Sequence, residues 1–164
     1  MGEDKVLEGA EAEIRQIGIV VKDLDRTIEH LTSLGLGPFQ RKEAIHPSTR
    51  MRGRKVSYEV RLGFAQQGPV QIELIEYQQG ETIQKEFLDE KGEGLHHICF
   101  QVKDIDATVE KFTRKGIKVL QQDRFVGGGG LAYMGTDEIG GIIIEVVQLP
   151  PDFDPKVGPR YERL

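Results

Sequence analysis

The sequence contains one cysteine, no tryptophan and no long hydrophobic run. A single cysteine, Cys99, excludes an internal disulfide and a zinc site built from cysteines, and its apolar surroundings favour a buried side chain. No stretch approaches the roughly 20 apolar residues that a membrane helix requires. The acidic start of the chain also lacks the basic and apolar regions of a signal peptide. We therefore expect a cytoplasmic protein that does not enter a membrane.

Basic residues are outnumbered by acidic ones, and the net charge of −5 argues against a general nucleic-acid-binding protein. The apolar fraction of 38% and the charged fraction of 30% are typical of globular proteins. A length of 164 residues suits one compact domain, or two small modules that share a core.

A repeat dominates the pattern of the chain. Segments 16–36 and 97–117 align without a gap, and 9 of the 21 aligned positions are identical. Each copy begins with apolar residues at every second position, as in a strand with one buried face. Each then shows an Asp followed by apolar residues at helical spacing, and stops at Gly35 or Gly116, which is typical of a capped helix.

The two copies also match at their other ends, where "VQIELIEY" (70–77) corresponds to "IIIEVVQL" (142–149) and Glu73 to Glu145. Between lie segments with strand-like composition, at 39–43 and 55–62 in the first copy and at 117–121 and 131–136 in the second. The pattern predicts an α+β fold of two tandem modules, each a strand, a helix and three strands.

The predicted modules span residues 14–79 and 95–149. A linker at 80–94 joins them and is expected to be partly helical. An N-terminal extension (1–13) and a Pro-rich C-terminal tail (150–164) flank them, and both termini are expected to be poorly ordered.

Two related modules that face each other would bring equivalent positions to opposite sides of one cavity. We therefore expect Gln16 to face His97 and Glu73 to face Glu145. One imidazole nitrogen and three oxygen donors suit a six-coordinate divalent ion. Taken singly, a His on a strand is more often hydrogen-bonded than metal-bound, and a Glu is usually solvated. His96 is expected to point the other way and to be structural.

The paired modules and the motifs "GEGLHHICFQV", "IELIEY" and "GGIIIEVVQ" resemble the vicinal oxygen chelate superfamily, which includes glyoxalase I, methylmalonyl-CoA epimerase, extradiol dioxygenases and bleomycin resistance proteins. The resemblance covers about residues 14–149. It implies a curved, barrel-like mixed sheet around a metal cavity holding Co, Ni, Mn or Zn, and a homodimer. The stretch "ETIQKEFLDEKGEGLHHICFQV" looks most like methylmalonyl-CoA epimerase. The set Gln16, Glu73, His97 and Glu145 instead looks like the ligands of glyoxalase I.

The resemblance implies proton transfer next to a carbonyl group, with epimerisation of methylmalonyl-CoA or a similar acyl-CoA as the first expectation. A glyoxalase I-type lactoylglutathione lyase and a non-catalytic, bleomycin-type binding protein are the alternatives. A carboxylate would move the proton while the metal stabilises the enolate oxygen. Glu145 and Glu73 are the candidate bases, and Glu59, on the preceding strand, is another.

Two loops are further candidates for substrate contact. The run "RMRGRK" contains Arg50, Arg52, Arg54 and Lys55, which could hold the phosphates of coenzyme A or the carboxylates of glutathione, although a basic run is usually solvated. The four glycines at 127–130 precede a strand and lack a following Lys-Ser/Thr, so a phosphate loop is not expected. A flap over the cavity and an ordinary flexible loop both fit them.

Overall fold

The computed structural model describes residues 4–163, and in it each copy of the repeat forms a strand, a helix and three strands. The first copy consists of β1 (Ile14–Val21), α1 (Leu24–Ser33), β2 (Gln40–Met51), β3 (Arg54–Gln67) and β4 (Val70–Gly80). Helix α2 (Ile83–Lys91) lies in the linker. The second copy consists of β5 (Gly94–Gln101), α3 (Ile105–Arg114), β6 (Val119–Arg124), β7 (Gly130–Met134) and β8 (Ile143–Gln148). The predicted α+β fold class is confirmed.

The eight strands form a closed barrel in the order β1-β4-β3-β2-β6-β7-β8-β5. Strand β1 runs parallel to β4 and antiparallel to β5, which in turn runs parallel to β8. The second seam between the modules, β2 with β6, has only two residue pairs. The two modules therefore pair within one chain.

The two repeat helices have the same ends. The side chains of Asp23 and Asp104 each accept a hydrogen bond of 2.9 Å from the backbone N–H three residues later. At the other end, Gly35 and Gly116 have φ angles of +94° and +82°, which glycine adopts without steric cost. Among residues 4–163, no helix is long and apolar enough to cross a membrane.

The helices pack on the outside of the barrel. The apolar cluster under α1 is formed by Val21, Leu24, Ile28 and Leu74, and the cluster under α3 by Val102, Ile105, Phe112, Ala132, Met134 and Val146. Because neighbouring strand residues point to opposite faces, the residue before Leu74 and the residue before Val146 point into the barrel. These residues are Glu73 and Glu145.

Strand β2 is much longer than the predicted segment 39–43. The strand continues through Pro47 to Met51. Its register with β3 shifts between His46 and Thr49, so the hydrogen bonds between β2 and β3 do not require the backbone N–H that Pro47 lacks. Residues 50–55 are consequently not an open loop. They form the tight hairpin between β2 and β3.

The structure corrects the expectation for the C-terminal tail. The segment 150–163, called here the C-terminal segment, returns to the barrel, and Tyr161 pairs with Phe125. The backbone N–H of Val126 donates to the Arg160 carbonyl at 2.8 Å, and that of Glu162 to the Arg124 carbonyl at 2.9 Å. The rings of Tyr161 and Phe125 are also in contact, so burial of aromatic surface stabilises this segment against the barrel.

Candidate metal centre and active site

The barrel encloses a cavity of about 520 Å³. It is open at the end of the barrel where β1, β2 and β4 begin. Its wall includes Gln16, Gln71, Glu73, Cys99 and Glu145, and the opposite side includes Ala44, Leu62, Phe125, Leu131 and Tyr161. Apolar walls with a few polar groups at one place are typical of small-molecule sites.

Three of the four predicted metal ligands meet beside this cavity. The His97 Nε2 atom lies 3.0 Å from Glu145 Oε2 and 3.4 Å from Glu73 Oε2. His97 has no exposed surface, and Glu145 is 5% exposed. Strands β5, β4 and β8 each supply one of these side chains, which we call the His97 cluster.

The ring of His97 has space because the residue facing it is glycine. Gly18 pairs with His97 across β1 and β5, and a Cβ atom on Gly18 would overlap the imidazole ring. Sequence reasoning did not single out Gly18. The available signal was the repeat itself, since the equivalent residue in the second copy is Cys99.

Gln16 lines the cavity together with Glu73 and Glu145. Its side-chain Nε2 donates to Gln71 Oε1 at 2.7 Å. Gln71 was also missed by sequence reasoning. It lies two residues before Glu73, on the same inward face of β4, so the two-residue period would have identified it.

His96 corrects a further expectation. The register between β1 and β5 shifts after Gly18, and His96 is the extra residue of the resulting bulge. Instead of pointing away, His96 lies with its Nδ1 atom 3.0 Å from His97 Nδ1, and its ring packs edge-on against Tyr133. Burial lowers the pKa of His96 well below its usual value. A neutral His96 can thus accept the Nδ1–H of His97.

Opposing effects set the charge of the His97 cluster. Burial disfavours a charged imidazole, but the carboxylates of Glu145 and Glu73 outweigh it and raise the pKa of His97 to about 9. Burial raises the pKa of Glu73, an effect that His97 partly offsets. Without a bound cation, the cluster therefore favours a protonated imidazole at His97 near neutral pH.

The donors fit a divalent cation in chemistry and spacing. His97 Nε2 and Glu145 Oε2 are buried and lie within ion-pair distance, yet neither has a well-aligned hydrogen-bond partner. Adjacent ligands of an octahedral ion at about 2.1 Å would be about 3 Å apart, which is close to the separation of these two atoms. Within residues 4–163, however, no group of three or more His, Cys, Asp or Glu is already arranged to hold a metal. Metal binding would thus require the side chains of the His97 cluster to adjust.

Glu59 is not brought to the His97 cluster. The neighbouring residues Tyr58 and Val60 are buried on the inner face of β3, and Leu62 on that face lines the cavity. Alternation along the strand places Glu59 on the outer face. Its expected role as a base inside the cavity is therefore not supported by its position.

The basic run 50–55 lies at the far end of β2 from the cavity mouth. Arg52 makes two hydrogen bonds of 2.9 Å to Glu86, and Arg54 pairs with Glu81. That position does not support the predicted contact of this run with substrate, and none of its four basic residues is among the described residues that line the cavity. Other basic residues line the mouth, namely Arg15, Arg41, Lys42 and Lys156.

The glycine run 127–130 forms the tight turn between β6 and β7. The Gly128 N–H donates to the Phe125 carbonyl at 3.1 Å, and a Cβ atom on Gly129 would overlap the Gln148 carbonyl. No residue of this run lines the cavity among those described. The run is a turn beside the barrel, and the cavity wall on this side is formed by residues of the C-terminal segment.

Comparison with known proteins agrees with this architecture. The family model described as the glyoxalase/bleomycin resistance protein/dioxygenase superfamily matches residues 15–134. The match spans most of both modules, and the chain belongs to this superfamily.

Within the superfamily, the similar proteins include methylmalonyl-CoA epimerases. The mitochondrial enzyme of Homo sapiens is 32% identical over 60 residues, which are 35% of this chain and 34% of the human protein. The aligned segments span from 34% to 66% of the length of the curated relatives that the chain matches.

Two solved structures have the same fold. The epimerase of Mycobacterium tuberculosis has a TM-score of 0.64 at 22% identity, covering 96% of this chain and 95% of that one. A variant of the Streptomyces coelicolor epimerase, solved in complex with 2-nitronate-propionyl-CoA, has a TM-score of 0.64 at 25% identity. It covers 87% of this chain and 97% of its own.

Proposed function

We propose that this protein is a divalent-metal-dependent enzyme that moves a proton at the carbon next to the thioester carbonyl of an acyl-CoA. Epimerisation of methylmalonyl-CoA, or of a similar acyl-CoA, is the reaction that fits best. The observation that carries the proposal is the buried His97 cluster beside the cavity, in a chain that is similar to methylmalonyl-CoA epimerases.

Gln16, Glu73, His97 and Glu145 would hold the metal ion. The ion, Co, Ni, Mn or Zn, would stabilise the negative charge that develops on the carbonyl oxygen when the neighbouring carbon loses its proton. Within the protein, Glu145 is the residue that we assign to proton transfer. Its carboxylate is nearly buried and lines the cavity in which the substrate would bind.

The cavity itself supports a bound small molecule. Leu62, Phe125 and Leu131 exclude water from one side, while the basic residues at the mouth would attract the negative charges of coenzyme A. This arrangement supports a ligand whose polar end would lie outside and whose reacting end would lie beside Glu145.

A second candidate is supported by the ligand types. The set Gln16, Glu73, His97 and Glu145 looks like that of glyoxalase I, and the same basic mouth would accept the carboxylates of glutathione. A lactoylglutathione lyase would use the same proton transfer on a different substrate. The two activities must therefore be assayed side by side.

The test combines metal analysis with two assays. Purified protein would be loaded with Co²⁺, Ni²⁺, Mn²⁺ or Zn²⁺ and assayed for epimerisation of methylmalonyl-CoA and for isomerisation of the methylglyoxal–glutathione adduct. We expect one bound metal per chain and activity in the first assay. Activity in the second assay only would identify the lyase, and tight ligand binding without metal or turnover would identify a binding protein.

Variants at two glutamates connect the activity to the site. Glu145→Gln should lower kcat about 100-fold or more, because general acid–base catalysis contributes at least that much. Glu59→Gln is the matched control, since Glu59 lies on the outer face of β3. An active Glu145→Gln protein would remove Glu145 from the mechanism.

A further inference from the structure

The barrel contains a second acid–base pair that the proposed function does not use. His46 and Asp123 are both buried, on β2 and β6 respectively. We propose that His46, oriented by Asp123, transfers a proton on the face of the substrate opposite Glu145. This inference rests on the proposed function and adds a second catalytic residue to it.

The contacts of Asp123 fix the imidazole of His46. Asp123 Oδ2 lies 3.0 Å from His46 Nδ1, and the Thr49 hydroxyl donates to the other carboxylate oxygen. A carboxylate beside Nδ1 holds a proton on that nitrogen and leaves Nε2 to take up or release another. The buried pair therefore has the arrangement of an oriented general base.

The barrel order places His46 across the cavity from the His97 cluster. Strands β2 and β5 are separated by three strands in either direction around the barrel, so His46 and His97 are on opposite strands. His46 lies two residues beyond Ala44 on the inward face of β2, and Ala44 lines the cavity. Asp123 is likewise two residues before Phe125, which also lines the cavity.

Two tyrosine rings enclose the imidazole. Tyr58 stacks on His46 with ring centroids 4.1 Å apart, and Tyr161 packs on it at 3.9 Å. Tyr161 belongs to the C-terminal segment and lines the cavity. His46 therefore lies one ring behind the space that a substrate would occupy, and a shift of Tyr161 would bring the two into contact.

The reaction requires a group on each face of the substrate. In one direction the Glu145 carboxylate takes the proton, and the electrons of the broken C–H bond move to the carbonyl oxygen to form an enolate. The protonated His46 then gives its Nε2 proton to the other face, and the enolate electrons form the new C–H bond. Glu73 and Glu145 both lie against His97, across the barrel from His46.

His46→Asn tests the assignment. The Asn amide can replace Nδ1 in the hydrogen bond to Asp123 but has no counterpart of Nε2. Metal-loaded wild type and variant would each be incubated in D₂O with (2R)-methylmalonyl-CoA and, separately, with (2S)-methylmalonyl-CoA. Deuterium uptake at the α-carbon and epimerisation would both be measured. The variant should epimerise at least about 100-fold more slowly, yet still exchange the α-proton of one epimer. His30→Asn, on the exposed side of α1, is the control and should behave as wild type.

The possible results separate the alternatives. Epimerisation by His46→Asn at the wild-type rate would overturn the inference. Equal loss of deuterium exchange from both epimers in a folded variant would also overturn it, because it would indicate that His46 only stabilises the contact between β2 and β6. If the variant does not fold, Asp123→Asn, which keeps the imidazole, is tested by the same criterion of one-sided exchange. A wild type that exchanges neither epimer would instead refute the proposed function.

Discussion

At the scale of single residues, the His97 cluster depends on the absence of a side chain at position 18. Gly18 leaves the space that the His97 ring occupies beside Glu73 and Glu145. Its φ angle is not in the left-handed region, so glycine is needed here for space and not for backbone conformation. The contact between Gly18 and the His97 ring exists only because β1 and β5 are paired in this register.

Gly18→Ala should therefore displace His97 and weaken metal binding by about 100-fold, comparable to the loss of a supporting contact in other metal sites. The measurement is titration of the metal-free protein with Co²⁺. Gly63→Ala is a suitable control, because its Cβ would meet only the flexible ends of Ile28 and Leu24. Unchanged affinity in Gly18→Ala would show that His97 is not a ligand.

The protonation of His97 predicts a pH dependence of metal binding. Its pKa of about 9 lies above the ordinary value of 6.5, so near neutral pH the ion must displace a proton. Calorimetry in buffers of different ionisation enthalpy should detect about one proton released per metal, and the affinity should rise about tenfold per pH unit until about pH 9. Proton-independent binding at neutral pH would contradict this assignment.

The same shift determines stability in the absence of metal. Folding raises the pKa of His97, so protonated His97 adds to the free energy of unfolding. This stabilisation is fully present below about pH 6.5 and is lost as the pH rises through about 9. Bound metal should remove this loss. Urea unfolding of the metal-free and metal-loaded proteins at pH 6 and at pH 9.5 would measure the difference.

At the scale of elements, the repeat predicted the strands and helices but not the places where a strand departs from regular alternation. The caps at Asp23 and Asp104 are local, and both helices begin where the sequence indicated. The bulge at His96 and the continuation of β2 through Pro47 depend on neighbouring strands. Neither could be deduced from alternation along one strand alone.

The C-terminal segment should matter for binding more than for folding. A chain that ends at Leu149 keeps all eight strands but loses Tyr161 and the other parts of the cavity wall from this segment. We expect a KM for methylmalonyl-CoA raised about tenfold, equivalent to about 1.4 kcal/mol of binding energy. A chain that ends at Tyr161 is the control. Equal KM values for the two chains would show that the segment does not form part of the site.

At the scale of the whole molecule, one chain closes the barrel and supplies every residue of the His97 cluster. We propose that the protein is a homodimer, as its resemblance to the superfamily implies, but with an independent site in each chain. Specific activity should then stay constant on dilution, even where light scattering shows monomers. Activity that falls as the dimer dissociates would indicate a residue contributed by the partner.

The sequence by itself determined the two modules, their order of strands and helices, and three of the side chains that meet at the His97 cluster. It could do so because duplication and two-residue alternation are visible along the chain. Only the tertiary structure decided the space at Gly18, the pairing of Gln16 with Gln71, the outward position of Glu59 and the return of the C-terminal segment. These features depend on which strands become neighbours and how their registers shift, and that is settled by packing between distant parts of the chain.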